Sequence, residues 1–162
     1  MDERDERLSK ALKAFLGQYS RAIRRRRILE QRLKAVCQEM DTPIGGISYS
    51  PVNYSSGNIS VGSAAFTFRK SEIEARIREQ KIKAETDLLR IMDILEYLNQ
   101  NSDERNILEL RYIDMKSWGE IVHMMHMSRS NCFNYRDKGI DMLLTFKRVV
   151  KIVEEYADEK GI

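Results

Sequence analysis

The side chains best equipped for chemistry crowd into one run, SWGEIVHMMHMSRSNCFNYRDKGIDMLL, from Ser117 to Leu144. The chemistry is hydrogen bonding rather than bond making. The Ser117 hydroxyl can accept from a free backbone N–H in the first turn of a helix, and Glu120, three residues on, completes a capping box. Trp118, Ile121, Val122 and Met125 then recur at helical spacing. The run stops near His126 and Met127, and Ser128 offers a second N-cap. Cys132, Tyr135, Gly139 or Ile140, and Leu143 carry a second apolar stripe. A short helix, a brief turn and a longer helix with its polar residues near the start is the layout of a helix-turn-helix, whose second helix enters the DNA major groove.

Other chemistries find less support. His123 and His126 lie three apart, but no cysteine or acidic cluster supplies the further ligands a metal needs. They are taken as surface or partly buried histidines, and no metal or other cofactor is expected. There is no P-loop, no glycine-rich phosphate cradle after a strand and no nucleophile elbow, so an enzyme is not expected. Trp118 reads as core beneath the second helix, and Met124, Met125 and Met127 as gap-filling core. Cys37 and Cys132 both fall on apolar helical faces, which argues against a disulfide framework and for a reducing cytoplasm.

The elements that position this run are long. The chain has 162 residues, two prolines and a net charge of +3 from 28 basic and 25 acidic residues. Residues 4–40 read as one helix, because Leu8, Leu12, Phe15, Tyr19, Ala22, Arg26, Leu29, Leu33, Val36 and Met40 alternate at 4-3 spacing. Such a seam wants a partner helix in this chain or in a second copy, which makes a homodimer the expected assembly. Arg24, Arg25 and Arg27 belong to an RRRR run with Arg26. They form either a solvated collar or a contact to phosphate or to an acidic protein. Thr42–Phe68 is uncharged up to Thr67 and rich in Gly, Pro, Ser and Asn. It is expected to be a tip loop, with Ile47/Tyr49 and Ile59/Val61 able to form a short hairpin.

A second helix is expected from Arg69 to Leu98, its apolar face made by Ile73, Ile77, Ala84, Leu88, Ile91, Leu95 and Leu98. Ser102 or Asp103 caps the next helix, ILELRYI lies within it, and the last helix continues through Phe146 to about Tyr156. The fold class is therefore all-α. A coiled-coil-like antiparallel hairpin fills residues 1–100, with its tip loop at 42–68, and a helix-turn-helix domain with an extended last helix fills residues 101–157. No apolar run approaches the roughly 20 residues that span a bilayer, and MDERDER does not resemble a leader, so a cytoplasmic protein is expected.

The stretch ERNILELRYIDMKSWGEIVHMMHMSRSNCFNYRDKGIDMLL resembles the fourth region of bacterial sigma factors, which reads the upstream promoter element. Shared are the ER..L.LRY helix, an aromatic plus EI before the turn, and a serine opening the recognition helix. The layout as a whole is similar to the ArpU-like regulators of late genes in phages and prophages. Carried over by position, Ser128 is the cap and Cys132, Tyr135 and Ile140 point inward. Arg129, Ser130, Phe133 and Asn134 face the groove, where arginine suits guanine, asparagine suits adenine and an aromatic ring suits the thymine methyl. Asn131, Arg136, Lys138 and Lys116 are placed for phosphates. The sequence departs from the sigma pattern at Phe133, Asp137, Gly139 and Asp141.

The resemblance implies a sequence-specific regulator of phage or prophage transcription, acting on double-stranded DNA and recruiting RNA polymerase. Two other classes compete. One is an interaction factor that binds polymerase or another regulator with little base reading. It is favoured by six basic against seven acidic residues between Asn101 and Thr145. The other is a packaging adaptor like a small terminase subunit.

Overall fold

A computed structural model describes residues 2–41 and 57–162. Seven helices account for the regular structure of the described residues: α1 (Glu3–Leu16), α2 (Gln18–Asp41), α3 (Gly57–Leu95), α4 (Asp103–Tyr112), α5 (Trp118–Met125), α6 (Arg129–Leu143) and α7 (Lys147–Lys160). The fold is all-α. Among the described residues no helix is long and apolar enough to cross a membrane. The chain divides into two compact units, one of Met1–Ala22 with Lys83–Ile162 and one of Ile23–Ile82.

The larger unit is built around a main core. Leu8, Leu12, Phe15 and Leu16 of α1 pack with Ile91, Ile94 and Leu95 of α3. Leu108 of α4, Ile140 and Leu143 of α6, and Val149 and Val153 of α7 complete it. Ten of these twelve side chains are under 2% exposed, so the apolar stripes of five helices are satisfied in one place. A boundary near residue 100 does not coincide with this division. The first helix contributes to the same core as α6 and α7, because its stripe is wide enough to face them as well as α3.

Ions and rings tie α1 to the last helix. Arg4 meets Glu154 at 2.6 Å, Arg7 meets Asp158 at 2.7 Å and also donates to the Ile162 carbonyl, and Phe15 sits edge-on to Tyr156. At the end of α3, the buried Arg105 guanidinium donates to Glu109, Glu96 and the Leu98 carbonyl at 2.7, 3.0 and 3.1 Å. Burying an arginine is tolerable only where acceptors meet its charge, and here each of the three guanidinium nitrogens has one.

The smaller unit is a two-helix arrangement of the rest of α2 and the start of α3. Leu29 and Val36 are buried, Leu33, Ile73 and Ile77 half-buried, and Glu39 pairs with Arg69 at 3.6 Å. Arg26 stands on the seam with its Nε buried, 3.3 Å from Glu30 but off line for a hydrogen bond.

Three expected elements differ. The helix expected over 4–40 breaks at Gly17, where the Arg21 guanidinium donates to the Ala14 carbonyl at 2.6 Å. A Cβ at position 17 would stand 2.7 Å from that guanidinium, so glycine leaves the room for a side chain to enter the ladder. The loop expected over 42–68 is shorter, since α3 already begins at Gly57 and takes Ile59 and Val61 into a helix rather than a strand. Extension of a nucleated helix gains one bond per residue, which offsets a glycine cost of about 1 kcal/mol. Residues 42–56, with Ile47 and Tyr49, lie outside the described residues. The last helix is two helices, because the Thr145 hydroxyl and N–H both turn back to the Met142 carbonyl and Phe146 is extended.

Candidate nucleic-acid interface

Two caps set the geometry of α5 and α6. The Ser117 hydroxyl accepts from Glu120 N at 3.2 Å, and Glu120 Oε2 accepts from Ser117 N at 2.9 Å, so both arms of the capping box are made. The helix ends at His126, whose left-handed backbone (φ 53°, ψ 40°) turns the chain. Two residues later the Ser128 hydroxyl accepts from Asn131 N at 3.1 Å and starts α6. The capping serine upstream, Ser102, holds Arg105 N in the same way and starts α4.

A small core joins the three helices. Ile107 of α4, Ile121 of α5 and Cys132 of α6 are fully buried together, with Trp118, Val122, Met125, Met127 and Tyr135 around them. Burial pushes the Cys132 thiol up, so it stays protonated and serves as a small apolar group. Farther along, α6 presses on α4 at Gly139. A Cβ there would stand 2.9 Å from Leu108 Cδ1 and 3.3 Å from Glu104 Cβ. The departure from alanine at this position thus has a steric cause.

These contacts decide which residues of α6 remain open. Arg129, Ser130, Asn131 and Asn134 are exposed on its first two turns, and Arg129 has no ion pair among the described residues. Lys116, in the turn before α5, is half-buried, and its carbonyl accepts from Arg111 at 3.1 Å. The rest of the set is engaged internally. Phe133 is half-buried and edge-on to Trp118, with ring centroids 4.8 Å apart. The Arg136 guanidinium lies over both rings, 4.9 Å from Phe133 and 5.4 Å from Trp118, and donates to Asp137 at 2.9 Å. Lys138 pairs at 3.1 Å with Glu104, a mostly buried carboxylate. The Phe133 ring and the Arg136 cation therefore orient α6 on α5, and Lys138 orients it on α4.

Two further residues, for which the sequence pattern carries no signal, belong to this surface. Arg111 lies over Trp118 at 5.1 Å. Lys13, from α1, meets Asp137 at 3.2 Å. Burial would raise the Asp137 carboxyl, but the hydrogen bonds from Arg136 and Lys13 outweigh it and hold the group below its usual range. The negative charge on α6 at Asp137 is thereby met by two cations. Nothing local in the sequence links positions 13 and 137. His123 and His126 sit with their rings 6.5 Å apart at the end of α5.

Residues 64–143 match the model of a family described as "Protein of unknown function (DUF1492)", a match that starts within α3 and stops at the last residue of α6. No curated protein matches, and no solved structure does. The chain is thus similar, over the part that holds α4, α5 and α6, to a family whose description carries no activity.

Proposed function

We propose that the chain is a sequence-specific DNA-binding regulator of transcription, with α6 as the helix that enters the major groove. One observation carries this reading. The first two turns of α6 offer Arg129, Ser130, Asn131 and Asn134 to solvent, while every inward position behind them is locked by packing or by a cap. A polar face without internal side-chain partners among the described residues, on a helix held by two others, suits hydrogen bonding to base edges. In this reading Arg129 takes a guanine, Asn134 an adenine, and Lys116 a phosphate, and a second copy of the chain reads a second half-site. The resemblance to ArpU-like regulators supplies the context of phage or prophage promoters and of polymerase recruitment.

The test is selection of bound duplexes from a random pool by wild type and by Arg129→Ala. The expected outcome is an enriched motif whose preference at one base pair is relaxed in the variant, at a cost of about 1–3 kcal/mol on the best site. The excess of acidic over basic residues between 101 and 145 favours a second reading, an interaction factor for polymerase. No enriched motif, together with capture of polymerase, would move the assignment there.

A further inference from the structure

The charge of this chain is divided unevenly. The unit of residues 23–82 holds eleven basic and six acidic residues, a net +5. The unit that contains α4, α5 and α6 holds seventeen basic and nineteen acidic residues, a net −2. Non-specific affinity for a duplex comes from neutralising phosphates, and the proposed reading unit has no surplus of cations to do so.

The surplus is concentrated on α2. Arg24, Arg25, Arg27, Arg32 and Lys34 are all exposed, and none has an ion pair among the described residues. The nearby carboxylates are already engaged, Glu30 with Arg26 and Glu39 with Arg69. Arg24, Arg27 and Lys34 follow at i, i+3 and i+10 on the side of the helix away from buried Leu29, while Arg25 and Arg32, four before and three after Leu29, stand exposed along the edge of the seam. The five cover roughly 15 Å of helix at ~1.5 Å per residue. Four are arginines, whose planar donor fork fits phosphate oxygens.

We infer that this face of α2 is a second nucleic-acid contact, one that holds the phosphate backbone of double-stranded DNA without reading bases. The choice of DNA as the polyanion rests on the proposed reading by α6; the basic face itself does not. Its role is to supply the electrostatic affinity that the reading unit lacks.

The experiment measures binding of the full chain to a random-sequence duplex over a range of salt. It compares wild type, Arg129→Ala, and the combined variant Arg24→Gln, Arg27→Gln, Arg32→Gln, Lys34→Gln. Glutamine keeps helix propensity, and an unchanged circular dichroism spectrum establishes that the fold is intact. The combined variant should lose on the order of 100-fold in affinity at 0.1 M salt, with a salt slope shallower by roughly two to four. Arg129→Ala should leave that slope within about one unit. An unchanged slope in the combined variant overturns the inference, whether or not a sequence motif depends on Arg129. A lost slope without any Arg129-dependent motif leaves the basic face standing and removes the reading by α6. Absence of wild-type binding at low salt removes both. If polyglutamate is bound by wild type and lost by the combined variant while duplex binding is unaltered, the face serves an acidic protein and the inference fails.

Discussion

The two units of this chain make a contrast in what their side chains are used for. In the larger, five helices send apolar side chains into one core, and even its charged groups are spent internally, as with Arg105 on three acceptors and Lys138 on Glu104. In the smaller, Leu29 and Val36 are buried along a narrow seam, while five cations of α2 meet no carboxylate among the described residues. A unit that must hold a surface within tenths of an ångström needs many mutual contacts. A surface that attracts a polyanion needs only exposed charge, and a thin seam suffices to carry it.

The contrast can be broken most severely through the larger core. Leu108→Ala removes a fully buried side chain that touches the α6 crossing, and should cost about 3–5 kcal/mol in urea unfolding. Leu29→Ala, on the thinner seam where neighbours can relax, should cost less, about 1–3 kcal/mol. Its effect should appear in hydrogen exchange of residues 23–36 and not in the protection of α4 and α6. Equal and global effects of the two would deny that the units differ in this way.

A narrower break lies at the α4–α6 crossing. Gly139→Val should cost about 2–3 kcal/mol, since added methyls meet Leu108 and Glu104 where a single Cβ is already too close. A stable variant, seen as an unmoved urea midpoint, would mean the crossing is looser than the distances state.

The smallest effect concerns Asp137. Its carboxyl is held below the ordinary value of about 3.9, so the ion pairs with Arg136 and Lys13 contribute stability that is complete above that value and lost as pH falls through the lower folded one. Both partners are partly exposed, which keeps the contribution at pH 7 under about 1 kcal/mol. Asp137→Asn should therefore change little at pH 7 and flatten the decline of stability as pH falls below about 4. An unchanged decline would show that the pairs do not form in solution.

What the sequence made legible was local. Ser117 and Ser128 mark two helix starts and Ser102 or Asp103 a third, at which the structure selects Ser102, because a cap is decided within four residues. The seam from Leu8 to Val36 and the inward positions Cys132 and Tyr135 follow from periodicity, which leaves Gly139 or Ile140 open until the resemblance favours Ile140, and all of these are buried or half-buried. What stayed hidden depends on pairs distant in the chain or on one side chain overriding a pattern. Arg21 interrupts a stripe that reads as continuous. Thr145 ends a helix whose apolar spacing carries on. Phe133 looked free for a thymine methyl, but Trp118, fifteen residues earlier, takes its ring. Lys13 and Asp137 meet across 124 positions, a contact that only the fold brings about.

Whether the first turns of α6 meet DNA bases can be read by labelling the full chain with a nitrogen isotope and following backbone amide signals while a duplex carrying the selected site is added. The amides from Arg129 to Asn134 are expected to shift most on the selected duplex and less on a random one. Large shifts elsewhere in that unit, with Arg129 to Asn134 unmoved on both duplexes, would contradict base contact by α6.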